Sequence, residues 1–337
     1  MLRCRTGLFV LFFVSISTLS FAQSTYKRTL KLMGSRFDIT VVADSKEQSQ
    51  QYINKAVAEI NRIETLISSW DPHSQTSAIN KNAGFRSVKV APELYNLIAR
   101  SLQISKLTAG AFDISYASMD AIWQFDGSVT TMPSSEKIKN SVANVDYQNI
   151  VLEPKDHRVF LTKKGMKIGF GAIGKGYAAD AAKKVLQKAG VVGGIINASG
   201  DMNTWGVQPD GAPWKVGITN PLNKNKVFAF FSLQNNAVVT SGNYEKFVVL
   251  DGKRYSHIID PRTGMPSTGL VSVSVFAPSA ELADALATAI FVMGTEVGIN
   301  LINQLPNIAC VLVTESGEIR KSNHIDRVNY KKETHEI

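Results

Sequence analysis

The chain has 337 residues, with 37 Lys and Arg against 28 Asp and Glu and a formal net charge of +9. The positive charge is spread without a long basic run, so it reads as a solvated surface, and no nucleic-acid motif accompanies it. The length suits one large domain or two lobes sharing an interface, and two cysteines are too few for a disulfide framework.

In chain order, Arg3 and Arg5 flank an apolar stretch over 7–19 that ends at Ser20-Phe21-Ala22. This is the pattern of an export signal cleaved after Ala22. It predicts a periplasmic protein, or one at the outer face of the inner membrane; an uncleaved N-terminal anchor is the alternative. The apolar core is shorter than the roughly 20 residues of a membrane span, and no later segment reads as one. Beyond the signal one cysteine remains, Cys310, in the apolar run IACVLV, where an inert core thiol is expected.

Alternation over 28–43 predicts strands broken at Met33-Gly34-Ser35. Ile53, Val57, Ile60, Ile63 and Ile67 fall at helical steps and predict a helix over 46–67. Residues 68–82 (SSWDPHSQTSAINKN) read as a polar loop presenting Trp70 beside an Asp71-Pro72 turn. A second helix is predicted over 92–107, with Pro92 at a tolerated early position, and Gly110-Ala111-Phe112-Asp113 ends that unit. Residues 124–148 read as an irregular surface excursion, and 149–153 and 158–162 as strands. The segment KIGFGAIGKGYAADAAKKVLQKAG (167–190) predicts a short strand, a glycine-rich loop and a helix. Short strands follow over 193–277, then an Ala-rich helix at 279–293, another near 295–304 and a strand at 308–315. The tail from Lys331 is expected to fray. Segregation of helices from antiparallel strands favours α+β over a doubly wound sheet.

Three segments carry candidate chemistry. Residues 256–264 (SHIIDPRTG) put the His257 imidazole, the Asp260 carboxylate and the Arg262 guanidinium where a strand at Ile258-Ile259 runs into a turn. A strand-to-turn connection with an Asp cap and a surface Arg accounts for the same residues. Gly169-x4-Gly174-Lys175 matches the start of a Walker A loop, but Gly176 stands where Ser or Thr must hold Mg²⁺, which excludes a nucleoside triphosphatase. What survives is close backbone approach, free amides at a helix start and the Lys175 charge, all suited to a diphosphate; a turn needing small residues is the other reading. Asp284 and Thr288 lie four apart on one helix face. Their hard oxygens suit Mg²⁺ or Ca²⁺ rather than zinc, although the bare spacing also fits a capping Asp and a packing Thr.

Together these segments resemble the ApbE-type FAD:protein FMN transferases, from about residue 30 to about residue 315. The resemblance runs through MGSRFDI (33–39), SSWDPHSQTSAIN (68–80), GAFDIS (110–115), GAIGKGYAAD (171–180), IINASGDM (195–202), VVTSGNYEKF (238–247), SHIIDPRTGMPS (256–267) and VSVFAPSAELADALATAIFVMG (273–294). It implies an α+β, ApbE-like (T-fold-like) catalytic domain over 23–337, with antiparallel sheets, flanking helices and FAD between two lobes. It implies FAD contacts at Met33, Trp70, Ala111, Phe112, Asp113, Lys175 and Asp180. It implies a metal on Asp284, Thr288 and the Ala172 carbonyl, and His257 as base with Asp260 and Arg262 beside it. The implied reaction is Mg²⁺-dependent transfer of FMN from FAD to an acceptor Ser or Thr, releasing AMP, with Ca²⁺ also fitting the ligands. Acceptors of this family are subunits of membrane redox complexes, such as Na⁺-pumping NADH:quinone reductases and Rnf-type complexes; the chain carries no such acceptor motif itself. A metal-dependent FAD pyrophosphatase and a non-catalytic exported FAD-binding protein would use the same residues, and covalent attachment of flavin distinguishes them. The sequence departs from the family pattern twice. Tyr116-Ala117-Ser118 replaces a common Gly-Pro pair, and Ile168-Gly169-Phe170-Gly171 replaces an Asp-Leu-Gly-Gly type segment.

Overall fold

The computed structural model describes residues 23–332 other than 127, 222, 244, 245 and 329; the export signal expected over 1–22 lies outside them. Strands β1 (Ser24–Leu32) and β2 (Ser35–Ala43) form a hairpin in which Leu32 lies opposite Ser35. Met33 and Gly34 turn it with φ of 49° and 67°, the left-handed pair a two-residue turn requires. Helix α1 (Lys46–Ile67) starts where the Ser45 side chain accepts the Gln48 amide, and it buries Ile53, Ile60, Ile63 and Ile67. The 68–82 segment is not all loop. Ser74 caps a short helix, α2 (Gln75–Lys81), whose one buried large apolar residue is Ile79, too few for a readable period. Next come β3 (Val88–Lys89), α3 (Pro92–Leu107) and α4 (Ser135–Ser141). The last was expected to be irregular and is held by the Ser134 cap and Ile138.

Strands β4 (Ile150–Glu153) and β5 (Arg158–Leu161) precede α5 (Gly174–Lys188). The short strand expected before the glycine loop does not form. Instead the Asn80 side chain bonds both the amide and the carbonyl of Ile168, and the Gly169 amide goes to Ile114 O. The later strands are β6 (Gly194–Ala198), β7 (Asp201–Trp205), β8 (Trp214–Asn220), β9 (Asn223–Leu233), β10 (Ala237–Gly242), β11 (Phe247–Leu250), β12 (Lys253–Ser256) and β13 (Leu270–Ala277). Helices α6 (Ala280–Met293) and α7 (Thr295–Asn303), then β14 (Ala309–Thr314), β15 (Ile319–Lys321) and β16 (Tyr330–Lys332), complete the chain. The expected fraying from Lys331 is corrected at Lys331 and Lys332, which pair with β9.

An eight-stranded antiparallel sheet, ordered β1-β2-β6-β7-β10-β13-β14-β15, is the frame. Alternation along β13 decides what covers it. Val273 and Val275 face α6 and α7 with Leu286, Ile290 and Ile302, whereas Phe276 faces the small β16-β9-β8 sheet and packs on Phe231. All of β13 is buried because both faces are covered. A separate cluster of Trp123, Ile138, Val248, Leu250 and Tyr255 ties the β11-β12 hairpin to α4.

Candidate active site

A cavity of about 690 Å³ is lined by residues distant in sequence, among them Ser35, Trp70, Phe112, Lys175, Asp201, His257 and Asp284. Of the residues expected at a site, Trp70, Ala111, Phe112, Asp113, Ala172, Lys175, His257, Asp284 and Thr288 line it. Met33, Asp180, Asp260 and Arg262 do not.

His257 follows β12 directly. The strand stops at Ser256, and Ile258-Ile259, expected to be strand, contribute one isolated bridge between Ile259 and Pro266. The turn that follows uses Asp260 O to accept the Thr263 and Gly264 amides. Gly264 has φ +76°, and a Cβ there would stand 2.8 Å from Ile138 O, so only glycine fits. The carbonyl of Lys246 lies 3.1 Å from His257 Nδ1 and also accepts the His257 amide. A carbonyl can only accept, so Nδ1 carries the proton in the neutral ring and the basic lone pair sits on Nε2.

Asp260 and Arg262 are bound to each other rather than to the cavity. Nε and Nη2 of Arg262 each lie 2.9 Å from a carboxylate oxygen, and Asp260 also accepts the Arg262 amide. The pair that the resemblance placed beside His257 makes a self-contained turn. Asp180 lies in a second groove, where it accepts the Ala280 and Glu281 amides at 2.9 Å and the Asn203 side chain. It anchors the start of α6, outside the lining of the cavity that holds His257 and Lys175. Met33 occupies the β1-β2 turn with its amide on Glu64. The Asp113 carboxylate is spent internally on Ser115 and the Tyr147 amide, so this stretch offers the cavity mainly Ala111 and Phe112.

The expectation of free amides at the glycine loop is also corrected. The Gly171 amide donates to Tyr116 Oη at 3.1 Å, and the Ile173 and Gly174 amides donate to Phe170 O. The Gly176 amide donates to Asp284 at 3.1 Å, so α6 supplies the anion at the start of α5.

Sequence reading missed Asp201, the buried partner of Lys175. Only the fold brings it across a separation of 26 positions, and the preceding Ser199-Gly200 turn gives no charge pattern to read. Asp284 is buried, and burial pushes its carboxyl up; burial and then the Asp284 charge push Asp201 up as well. One ammonium group thus serves two cavity-lining carboxylates. Thr288 lies on the same wall, 3.5 Å from the Ser241 hydroxyl. Among the described residues no group of three or more His, Cys, Asp or Glu could hold a metal. A cation here draws on mixed carboxylate, hydroxyl and carbonyl oxygens, a set that fits Mg²⁺ or Ca²⁺ and compensates the buried negative charge.

Fold and cavity define an α+β protein with a cleft in which one lysine meets two buried carboxylates beside a histidine. The family model described as "ApbE family" matches residues 33–312, and the chain belongs to that family. It is 30% identical over 294 residues to the FAD:protein FMN transferase of Klebsiella pneumoniae (86% of this chain, 84% of the relative). Over 281 residues it is 32% identical to that of Treponema pallidum (79% and 78%). The crystal structure of the ApbE protein from Thermotoga maritima superposes with a TM-score of 0.81 at 31% identity, covering 90% of this chain and 99% of that one. The apo flavinyl transferase ApbE of Pseudomonas stutzeri gives 0.81 at 26%, covering 92% and 98%.

Proposed function

We propose that this chain transfers FMN from FAD to a protein acceptor, at a Ser or Thr hydroxyl, with Mg²⁺ (or Ca²⁺) as cofactor. The observation that carries the reading is one cavity lined by both His257 and the Lys175, Ala172, Asp284 and Thr288 group. The acceptor oxygen attacks the phosphorus of the FMN half. The new P–O bond forms as the bond to the AMP phosphate breaks, and His257 Nε2 takes the hydroxyl proton. Lys175 holds the diphosphate charge, and Trp70, 93% exposed at the lip, offers a ring for flavin or adenine to stack on. Asp284, Thr288 and the Ala172 carbonyl would hold the metal, which when bound neutralises charge on the phosphate oxygens and the departing AMP. Lining residues from both halves of the chain support FAD lying between two lobes. The basic flank and apolar core over 1–22 support export, and exported or membrane redox subunits as acceptors.

The test is incubation with FAD, Mg²⁺ and a candidate acceptor domain, followed by mass spectrometry. A covalent gain equal to FMN, with AMP released, supports the transfer. Free FMN and AMP without attachment make the chain a pyrophosphatase, and intact FAD makes it a binding protein.

A further inference from the structure

The glycine loop offers a diphosphate fewer donors than its sequence promises, because the amides of Gly171, Ile173, Gly174 and Gly176 are all taken within the protein. Beyond Lys175, an anionic ligand in this cavity gains from a donor outside the loop. Tyr116 lines the cavity and is 36% exposed as a residue. Its hydroxyl reaches into the loop, so that a Cβ on Gly171 would stand 2.4 Å from it and one on Gly169 3.5 Å. The Gly171 amide uses a lone pair of that oxygen and leaves the phenol hydrogen to go elsewhere. Among the described residues no acceptor receives it. Burial, with a smaller push from the Asp284 charge, raises the phenol above its ordinary range, so it stays a donor at neutral pH.

The two departures from the family pattern meet at this contact. The Ala117 methyl stands 3.1 Å from where a Cβ on Gly169 would be, and the Ser118 hydroxyl exchanges hydrogen bonds with both backbone groups of Lys167. A Cβ at 169 would crowd Ala117 and one at 171 would crowd the Tyr116 hydroxyl, so the small residues of the loop leave room for the 116–118 segment.

We propose that the Tyr116 hydroxyl donates a hydrogen bond to the diphosphate of the bound flavin nucleotide. The inference rests on the reading of the cavity as the FAD site. The test is titration of wild type, Tyr116→Phe, Gly171→Ala and the double variant with FAD, ADP and riboflavin in the presence of Mg²⁺. A hydrogen bond to a charged group is worth about 10- to 100-fold in affinity. Tyr116→Phe should weaken FAD and ADP by that factor and leave riboflavin, which has no phosphate, unchanged. Equal weakening of riboflavin, or no weakening of either nucleotide, overturns the contact. Gly171→Ala displaces the hydroxyl without removing it, so as a single variant it should weaken both FAD and ADP but add nothing in the Tyr116→Phe background, where the ring carbon lies an ordinary 3.5 Å away. Losses that simply add overturn the proposal. A wild type that binds ADP through Tyr116 yet transfers no FMN removes the function reading and keeps the contact. A wild type that binds neither nucleotide removes both.

Discussion

Asp284 on α6 accepts the backbone amide of Gly176 on α5 at 3.1 Å. One carboxylate oxygen is thereby fixed by a helix start, which orients the rest of the group toward the cavity. Two variants separate these duties. Asp284→Asn keeps an acceptor for the amide, so thermal stability should hold while Mg²⁺-dependent transfer is lost. Asp284→Ala should lose transfer and also about 1–3 kcal/mol of stability, because a buried amide is orphaned. Calorimetry and an FMN-transfer assay read the two effects; Mg²⁺-dependent turnover in either variant would remove the metal assignment.

His257→Ala should keep FAD affinity and lower transfer by about 10²–10⁴-fold, the range of a positioned general base. Fluorescence titration with FAD and a single-turnover transfer assay check it. Wild-type transfer rates in this variant would take His257 out of the mechanism.

Gly176→Ser restores the Walker-type hydroxyl but should not yield ATP binding. A Cβ at 176 would stand 2.2 Å from the Ala280 carbonyl oxygen, where α5 meets α6. Urea unfolding should show a loss of about 1–3 kcal/mol, or more if the helices cannot part. Gly176 is a packing requirement of the helix pair, the physical reason the Walker pattern fails here.

Asp38, which is not among the cavity-lining residues, gives a pH signature of its own. Burial would raise its carboxyl, but hydrogen bonds from Thr29, Lys27 and Arg36 outweigh that and hold it at about 2. A pKa below the unfolded value of about 3.9 means stability that is present above pH about 4 and is lost as pH falls towards 2. With Lys27 and Arg36 largely exposed, screening leaves roughly 1 kcal/mol. Asp38→Asn should cost that much at pH 7 and nothing near pH 2, measured by urea midpoints at both.

Cys310 lies fully buried in β14, and burial pushes its thiol up to about 12. At pH 8 iodoacetamide should leave Cys310 unmodified in the native protein and alkylate it in urea, as peptide mass spectrometry would show.

Local pattern carried far into the structure. The isoleucine period gave α1, alternation gave the first hairpin, and the Ala-rich run gave α6. Helices α2 and α4 escaped because each buries one large apolar residue, Ile79 or Ile138, and is set by a serine cap instead. The place of Asp180 in a motif says nothing of direction; it sits on the face of α5 that meets α6.

The sequence by itself determined most of the elements, the α+β class and the residue types that a diphosphate and a hard cation require, since these depend on near neighbours along the chain. Only the tertiary structure decided which of those residues share a space. It set Asp201 on Lys175, turned Asp260 onto Arg262, spent the loop amides on Tyr116 and Asp284, and fixed the His257 tautomer through the Lys246 carbonyl. Most of these pairings join different elements, brought together by the antiparallel sheet and the helices packed on it. Their energies depend on burial and distance, which no spacing along the chain encodes.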